Sequence, residues 1–157
     1  MQPSDLIDEL GLQPHPEGGW YRELYRSSLR VEAPQGARSA LTTIYYLLER
    51  QQVSRWHVVA ADEVWHFYAG TPLQLALYRP GTHALRVIEL GAPDQGREPV
   101  CVVPAGCWQA ARPSGPFALV GCSVGPGFEF EDFHLVADLP DHAPHFAGAL
   151  QSWRALL

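Results

Sequence analysis

About ten short β-rich runs, separated by glycine and proline turns, constrain the fold of this chain more than any other feature. The 157 residues include 14 glycines and 14 prolines, which favour turns and short strands over long helices. Strands at such regular spacing are typical of a sandwich or barrel, and a jelly roll is the natural closed arrangement for this number of strands. We expect one all-β domain over residues 1–157, with a jelly roll over about 20–136. Residues 27–38 are polar and are predicted to form a mobile loop.

A short helix is predicted on each side of the β region. The first covers residues 4–10, with Ser4 as the N-cap and Gly11 as the residue that ends it. The second covers residues 144–156, where apolar residues recur every three or four positions. Its apolar positions are Phe146, Leu150, Trp153 and Leu157.

Composition excludes several classes of function. The formal charge of −6 argues against nucleic acid as the main partner. No apolar stretch of about 18 residues and no charged-then-apolar leader is present, so we expect a cytoplasmic protein without a membrane partner. The chain has no lysine, which excludes a Schiff-base enzyme and a P-loop lysine. Three cysteines, Cys101, Cys107 and Cys122, lack the spacing of a zinc site and are expected to be buried thiols.

Residues 54–70 carry an imidazole and a carboxylate in two consecutive predicted strands. The strands are separated by a tight turn and are expected to form a hairpin. Because side chains alternate along a strand, His57 shares a face with Val59, and Glu63 shares one with Trp65. A histidine and a glutamate on the concave face of a barrel are either metal ligands or an acid–base pair.

The spacing of this segment resembles the first motif of the cupin superfamily, G-x5-H-x-H-x3,4-E-x6-G. His57 takes the position of the first histidine, Glu63 that of the glutamate and Gly70 that of the last glycine. Val59 stands where the second histidine belongs, and Gln51 stands where the leading glycine belongs. The motif is therefore recognisable but has lost one metal ligand.

A second resemblance, to the cupin motif G-x5-P-x-G-x2-H-x3-N, lies around residues 104–106. Gln109 replaces the histidine of that motif, and Pro113 replaces its asparagine. Two of the four usual metal ligands are thus missing, and glutamine is a weak neutral ligand. We expect no cofactor and little bound metal; a weakly held divalent ion would use His57, Glu63 and Gln109.

Four motifs in the expected order extend the resemblance over about residues 4–140. They are His-Pro-Glu-Gly-Gly at 15–19, the segment 54–70, Val-Pro-Ala-Gly at 103–106, and Pro-Gly-Phe-Glu-Phe-Glu-Asp-Phe at 126–133. Together they are similar to one small single-domain cupin family of unknown function. The resemblance implies a double-stranded β-helix that is usually a homodimer. Residues 20–25 would also be an exposed edge strand in a monomer, which pairing would cover.

The chain also resembles the dTDP-4-dehydrorhamnose 3,5-epimerases, metal-free barrels that use a histidine base, through Arg55 and His57. This resemblance implies an isomerase or epimerase in which His57 removes a proton beside a carbonyl, with its pKa tuned by Glu63. The alternative is a binding module without catalysis. A metal-dependent dioxygenase is a third possibility, disfavoured by Val59 and Gln109.

The barrel is expected to hold a small polar or sugar-like molecule. Its catalytic residues would be His57 and Glu63. Its ligand-binding residues would be Arg55, Trp56, Trp65, Phe67, Trp108, Gln109, His15 and Glu17. The segment 15–19 is either part of the barrel mouth or a structural clasp, and both interpretations stay open. The aromatic residues of 128–133 are expected to be core.

Overall fold

A computed structural model describes residues 2–82, 84–138 and 153 of the chain. Helix α1 covers Pro3–Leu10, and 3₁₀ turns cover Pro80–Thr82, Phe130–Asp132 and Val136–Asp138. The strands are β1 Gln13–Pro14, β2 Trp20–Arg26, β3 Arg30–Ala33, β4 Gly36–Ser39, β5 Thr42–Glu49, β6 Ser54–Val59, β7 Asp62–Gly70, β8 Leu73–Arg79, β9 Ala84–Leu90, β10 Val100–Val103, β11 Trp108–Pro113, β12 Phe117–Gly125 and β13 Phe133–Leu135. The helix predicted over 144–156 lies outside the described residues, apart from Trp153. No helix in the described ranges is long and apolar enough to cross a membrane.

The strands form a jelly-roll sandwich, which confirms the fold class predicted from their spacing. One sheet has six strands in the order β1-β2-β5-β12-β7-β10, and the other has five in the order β13-β6-β11-β8-β9. Every pairing between neighbouring strands in them is antiparallel. Strands β3 and β4 form a separate hairpin.

Large apolar side chains fill the space between the two sheets. Tyr46 and Trp65 come from the six-stranded sheet, while Leu75 and Leu77 come from the five-stranded sheet, and all four are buried. Full burial of each such side chain contributes about 1.5–3 kcal/mol to folding. This core occupies the middle of the sandwich and supports the polar residues at one end of it.

Strands β6 and β7 do not pair with each other, so the predicted hairpin is wrong. β6 pairs with β11 and β13, whereas β7 pairs with β10 and β12. The short connection between them is therefore a corner that crosses from one sheet to the other. As a result, His57 and Glu63 come from different sheets, a better arrangement for holding a ligand than two neighbours on one wall.

The first helix begins one residue earlier than its sequence pattern indicated, and its N-cap lies two residues earlier. Gln2, and not Ser4, is the N-cap, because Pro3 fits the first helical turn with its fixed φ and missing N–H group. Gly11 ends the helix in the left-handed conformation at φ 61°, as predicted. The helix buries Leu6 against the outer face of the six-stranded sheet.

The polar segment 27–38 is largely the β3–β4 hairpin, so the prediction of a mobile loop is wrong. Arg38 at the end of this hairpin is buried because its guanidinium forms two hydrogen bonds with Asp132, at 2.8 and 2.9 Å. Glu131 adds an ion pair at 2.7 Å. These charges anchor residues 128–133 to the hairpin, since both Arg38 and Asp132 would be costly to bury alone.

Candidate functional site

A cavity of about 140 Å³ lies at one end of the sandwich, between the two sheets and residues 128–133. It combines ionisable groups with an aromatic wall. The ionisable lining residues are His15, Glu17, Tyr21, Glu23, Arg26, Tyr46, His57, Glu63, Cys122 and Glu129. The phenylalanines of the wall are Phe128, Phe130 and Phe133. Such a mixture of apolar surface and convergent polar groups is typical of a small-molecule site.

His57 is held in one orientation at the cavity wall. The residue is 2% exposed, and Nδ1 lies 2.7 Å from the carbonyl oxygen of Arg55. Because a carbonyl oxygen only accepts hydrogen bonds, Nδ1 carries the proton in the neutral ring and Nε2 keeps its lone pair. Burial lowers the pKa of His57, while the charge of Glu63 acts in the opposite direction. The neutral, basic form is therefore favoured.

Glu17 approaches the same imidazole from the segment 15–19. Its Oε2 lies 3.2 Å from Nδ1 of His57, and its Oε1 accepts a 2.9 Å hydrogen bond from Ser54. Burial raises the pKa of Glu17, opposed by the charge of His15. A carboxylate beside Nδ1 fixes the tautomer and stabilises the ring when Nε2 takes up a proton.

The turn that positions Glu17 depends on two glycines. The amide of Gly18 donates to the carbonyl of His15 at 3.0 Å, and the amide of His15 donates to the carbonyl of Gly19 at 2.9 Å. Gly18 and Gly19 have φ of 112° and 77°, values that favour glycine. The segment 15–19 therefore contributes side chains to the cavity and also packs its backbone tightly against neighbouring strands.

His15 has the opposite tautomer from His57. Its Nδ1 accepts a 3.1 Å hydrogen bond from the backbone amide of Glu17, so the neutral ring carries its proton on Nε2. Edge-on contacts with Tyr21 at 4.6 Å and Tyr46 at 5.5 Å, measured between ring centroids, hold the ring in place. Burial is the main cause that lowers the pKa of His15. The cavity is thus lined by one imidazole acceptor and one imidazole donor.

Glu63 lies in β7, on the six-stranded sheet. Its Oε2 accepts a 2.6 Å hydrogen bond from Gln109, whose Oε1 accepts one from Trp65 at 2.8 Å. The amide nitrogen of Gln109 thus holds Glu63 while its amide oxygen is held by Trp65, and Gln109 does not line the cavity. Burial raises the pKa of Glu63, opposed by the charge of His57. A carboxyl group with a raised pKa is suited to supply a proton.

Several side chains predicted to bind a ligand lie away from the cavity. Trp56 and Trp108 pack together with Tyr78 on the other face of their sheet, and the indole N–H of Trp56 donates to the carbonyl of Trp153 at 3.1 Å. The reason is strand alternation, since each tryptophan directly precedes an inward residue, His57 or Gln109.

Three further predicted ligand contacts also do not line the cavity. Trp65 and Phe67 do face inward from β7, but they belong to the central core between the sheets. Arg55 is absent from the cavity lining, and its guanidinium donates to the carbonyl of Pro16 at 3.2 Å. Of the residues predicted for the site, the cavity therefore brings together His15, Glu17, His57 and Glu63, with Gln109 behind Glu63.

The phenylalanines of the aromatic wall were predicted to be core. Phe128 and Phe133 do pack, partly buried, against a small core cluster, but all three phenylalanines also line the cavity, which the sequence did not indicate. Phe128, Phe130 and Phe133 contact one another edge-on, with centroids 5.0 to 6.4 Å apart, and Phe130 is 50% exposed. Arg26 fixes the segment by donating to the carbonyl of Phe128 at 2.9 Å and to Glu129 at 2.8 Å. The glycine and proline turn before Phe128 was the available signal, because it interrupts the strand pattern.

The donors at the two motif positions do not fit a four-ligand cupin metal centre. Val59 offers no donor atom, and the amide nitrogen of Gln109 already donates to Glu63. Within residues 2–82 and 84–138, no three His, Cys, Asp or Glu side chains are grouped to hold a metal ion. The expectation of little bound metal remains a prediction.

Two antiparallel sheets with ionisable residues on their inner faces define a cupin-type jelly roll. The family described as Cupin superfamily (DUF985) matches residues 4–136, and the chain belongs to this family. This confirms the resemblance found in the four sequence motifs. A comparison with curated proteins finds no match.

Solved structures agree with this assignment. A hypothetical protein from Leishmania major is 30% identical, with a TM-score of 0.86 and 98% of each chain covered. A protein from Shewanella oneidensis is 37% identical, with a TM-score of 0.78, covering 92% of this chain and 94% of that one. Oxalate decarboxylase from Bacillus subtilis is 15% identical, with a TM-score of 0.62; the match covers 82% of this chain and 31% of that one, and it shows the fold alone.

Proposed function

We propose that this cupin binds a small polar, sugar-like carbonyl compound in its cavity and isomerises or epimerises it with His57 as the general base. The observation that carries the proposal is the hydrogen bond from Nδ1 of His57 to the carbonyl of Arg55, which leaves Nε2 as an acceptor at the cavity wall. The raised pKa of Glu63, due mainly to burial, provides an acid in the same cavity.

In the proposed reaction, Nε2 of His57 takes the proton from the carbon beside the carbonyl. The C–H bond breaks, and its electron pair moves to the carbonyl oxygen as an enolate. The Nε2–H group of His15 donates a hydrogen bond to that oxygen, and Glu17 stabilises the imidazolium of His57. The carboxyl group of Glu63 then returns a proton to carbon. Solvent afterwards reprotonates Glu63 and removes the proton from His57.

A non-catalytic binding module is the second candidate, because Val59 and Gln109 occupy the histidine positions of the cupin motifs in a chain that keeps the family's fold. Proton exchange separates the two. The protein is incubated in heavy water with a panel of small aldoses, ketoses and amino-substituted analogues, and exchange beside the carbonyl is followed by NMR. Exchange above the buffer rate supports the isomerase, whereas saturable binding without exchange supports the module.

The metal prediction uses the two altered motif positions. The protein as purified is expected to hold well under one equivalent of divalent metal, because the motif retains only His57 and Glu63 as good ligands. The double substitution Val59→His and Gln109→His is expected to bind a divalent ion in about 1:1 ratio. Elemental analysis after chelation measures both. Near-stoichiometric Mn, Fe, Ni or Zn in the unaltered protein would contradict the prediction and favour a dioxygenase.

We also propose a homodimer, but through a different edge from the one first predicted. β2 is partly covered by β1, whereas β10 ends the six-stranded sheet with Val100 and Val102 exposed. Pairing across a two-fold axis would cover this edge. Val102→Arg is expected to give a monomer in light scattering, while Val87→Arg, at an exposed position on the edge strand β9, remains dimeric. A wild-type monomer at micromolar concentration would refute the dimer.

A further inference from the structure

The charges around the cavity indicate which class of molecule it accepts. We propose that the cavity selects a small organic cation, such as an ammonium compound, over uncharged or anionic molecules of the same shape. The inference rests on the proposed function only in that the cavity binds a small molecule, and it adds the charge of that molecule.

The ionisable lining is predominantly acidic. A single guanidinium, that of Arg26, stands among the described lining residues, and it is already bonded to Glu23 at 2.9 and 3.0 Å and to Glu129 at 2.8 Å. The two imidazoles have tautomers fixed by backbone hydrogen bonds and favour the neutral form. Four carboxyl groups complete the set, from Glu17, Glu23, Glu63 and Glu129. An incoming carboxylate or phosphate would therefore find no free positive partner in this lining.

Two of these carboxyl groups are buried in the interior, without an arginine bonded to them in the described structure. Glu17 is 6% exposed and Glu63 is 7% exposed. Their close partners are the neutral groups of Ser54, Tyr46, Gln109 and Cys122 together with the imidazoles, while the charge of Arg55 acts on Glu17 from outside the lining. Burial raises the pKa of both groups and so favours their protonated forms in the absence of a ligand. A buried carboxylate is costly without a compensating charge, so a bound cation would favour the ionised forms. An uncharged polyol could hydrogen-bond to the same oxygens but would not supply this compensation.

The aromatic wall favours the same class of ligand. Phe128, Phe130 and Phe133 form one side of the cavity, and Tyr21 and Tyr46 contribute two further rings. Phenyl and phenol rings attract a cation held over their faces, and clusters of such rings recognise quaternary ammonium groups. Phe130 is half-exposed, so part of this surface is accessible from solvent. The acidic interior and the aromatic wall thus support the proposal independently.

The test compares three probes of nearly the same shape: choline, 3,3-dimethylbutan-1-ol and 3,3-dimethylbutanoate. Binding is measured by calorimetry and by NMR shifts at pH 7.5. We expect choline to bind about tenfold more tightly than the uncharged alcohol, and the carboxylate to bind more weakly than either. Equal binding of the three, tighter binding of the alcohol or carboxylate, or no binding of choline at 50 mM overturns the proposal.

Two variants show whether the cavity is responsible. Glu63→Gln is expected to reduce choline affinity about tenfold while changing that of the alcohol less than twofold, because glutamine cannot take the ionised form that a bound cation favours. Phe130→Leu, at a half-exposed position, should weaken choline about threefold without preventing folding. Unchanged choline binding in both variants overturns the proposal. His57-dependent exchange on an uncharged carbonyl compound would leave the proposed function intact in that case.

Discussion

Replacing His57 with glutamine is expected to lower the rate of proton exchange on an active carbonyl compound by about 10²–10⁴-fold. The substitution removes the acceptor nitrogen that the Arg55 carbonyl orients, while the amide side chain retains polarity in a buried position. NMR in heavy water measures the rates. His66→Gln is the matched control, because His66 directly follows Trp65 in β7 and so faces away from the inner side. An equal loss in both variants would contradict the role of His57.

The pH dependence of the same rate has a defined sign. Burial lowers the pKa of His57, so exchange should rise with pH through a value below 6.5 as the base loses its proton. Burial raises the pKa of Glu63, so the rate should fall again as that acid ionises above 4.5. Glu17→Gln removes the carboxylate that favours the imidazolium and should move the rising limb to lower pH. A rising limb above pH 6.5 would contradict this account.

Replacing Gly19 with alanine is expected to lower the free energy of unfolding by about 3 kcal/mol or more. Its φ of 77° is strained for alanine, and the added Cβ would lie 2.7 Å from both the carbonyl oxygen of Leu47 and a methyl group of Leu48. Urea denaturation measures the change. Glu17 should also lose its position, because Gly19 closes the turn that carries it.

Gly81→Ala provides the control for this substitution. Gly81 lies outside the left-handed region, and a Cβ there meets no atom within 4 Å. Its unfolding free energy should change by no more than about 0.5 kcal/mol. Similar unfolding free energies for the two variants would contradict the close packing of Gly19 against Leu47 and Leu48.

Strand positions were predictable because alternation and turn residues are local signals. The edge strand predicted over residues 20–25 lies within β2, Trp20–Arg26. The same alternation correctly placed His57 and Glu63 on inner faces. Fold and family followed from these local patterns, since the turns and motifs occur in a fixed order along the chain.

The pairing of the strands and the contacts within the candidate site depended on residues that are distant in sequence. Pairing of β6 with β11 could not be derived from periodicity, which says nothing about which strands are neighbours. The contact of Glu17 with His57 joins segments 40 residues apart, so the tuning of His57 was assigned to Glu63 alone. Residues 27–38 were predicted to be a loop because they are polar. The prediction failed because Arg38 is buried against Asp132, a partner that is distant in the sequence.

The tautomer of His57 tests the central claim most directly. Ring nitrogen shifts of ¹⁵N-histidine-labelled protein, assigned by loss of a signal in His57→Gln, report which nitrogen carries the proton. The arrangement of His57, Arg55 and Glu17 predicts a proton on Nδ1, a bare Nε2 and a pKa below 6.5. A proton on Nε2 in the neutral ring, or titration above 6.5, would contradict a base directed into the cavity.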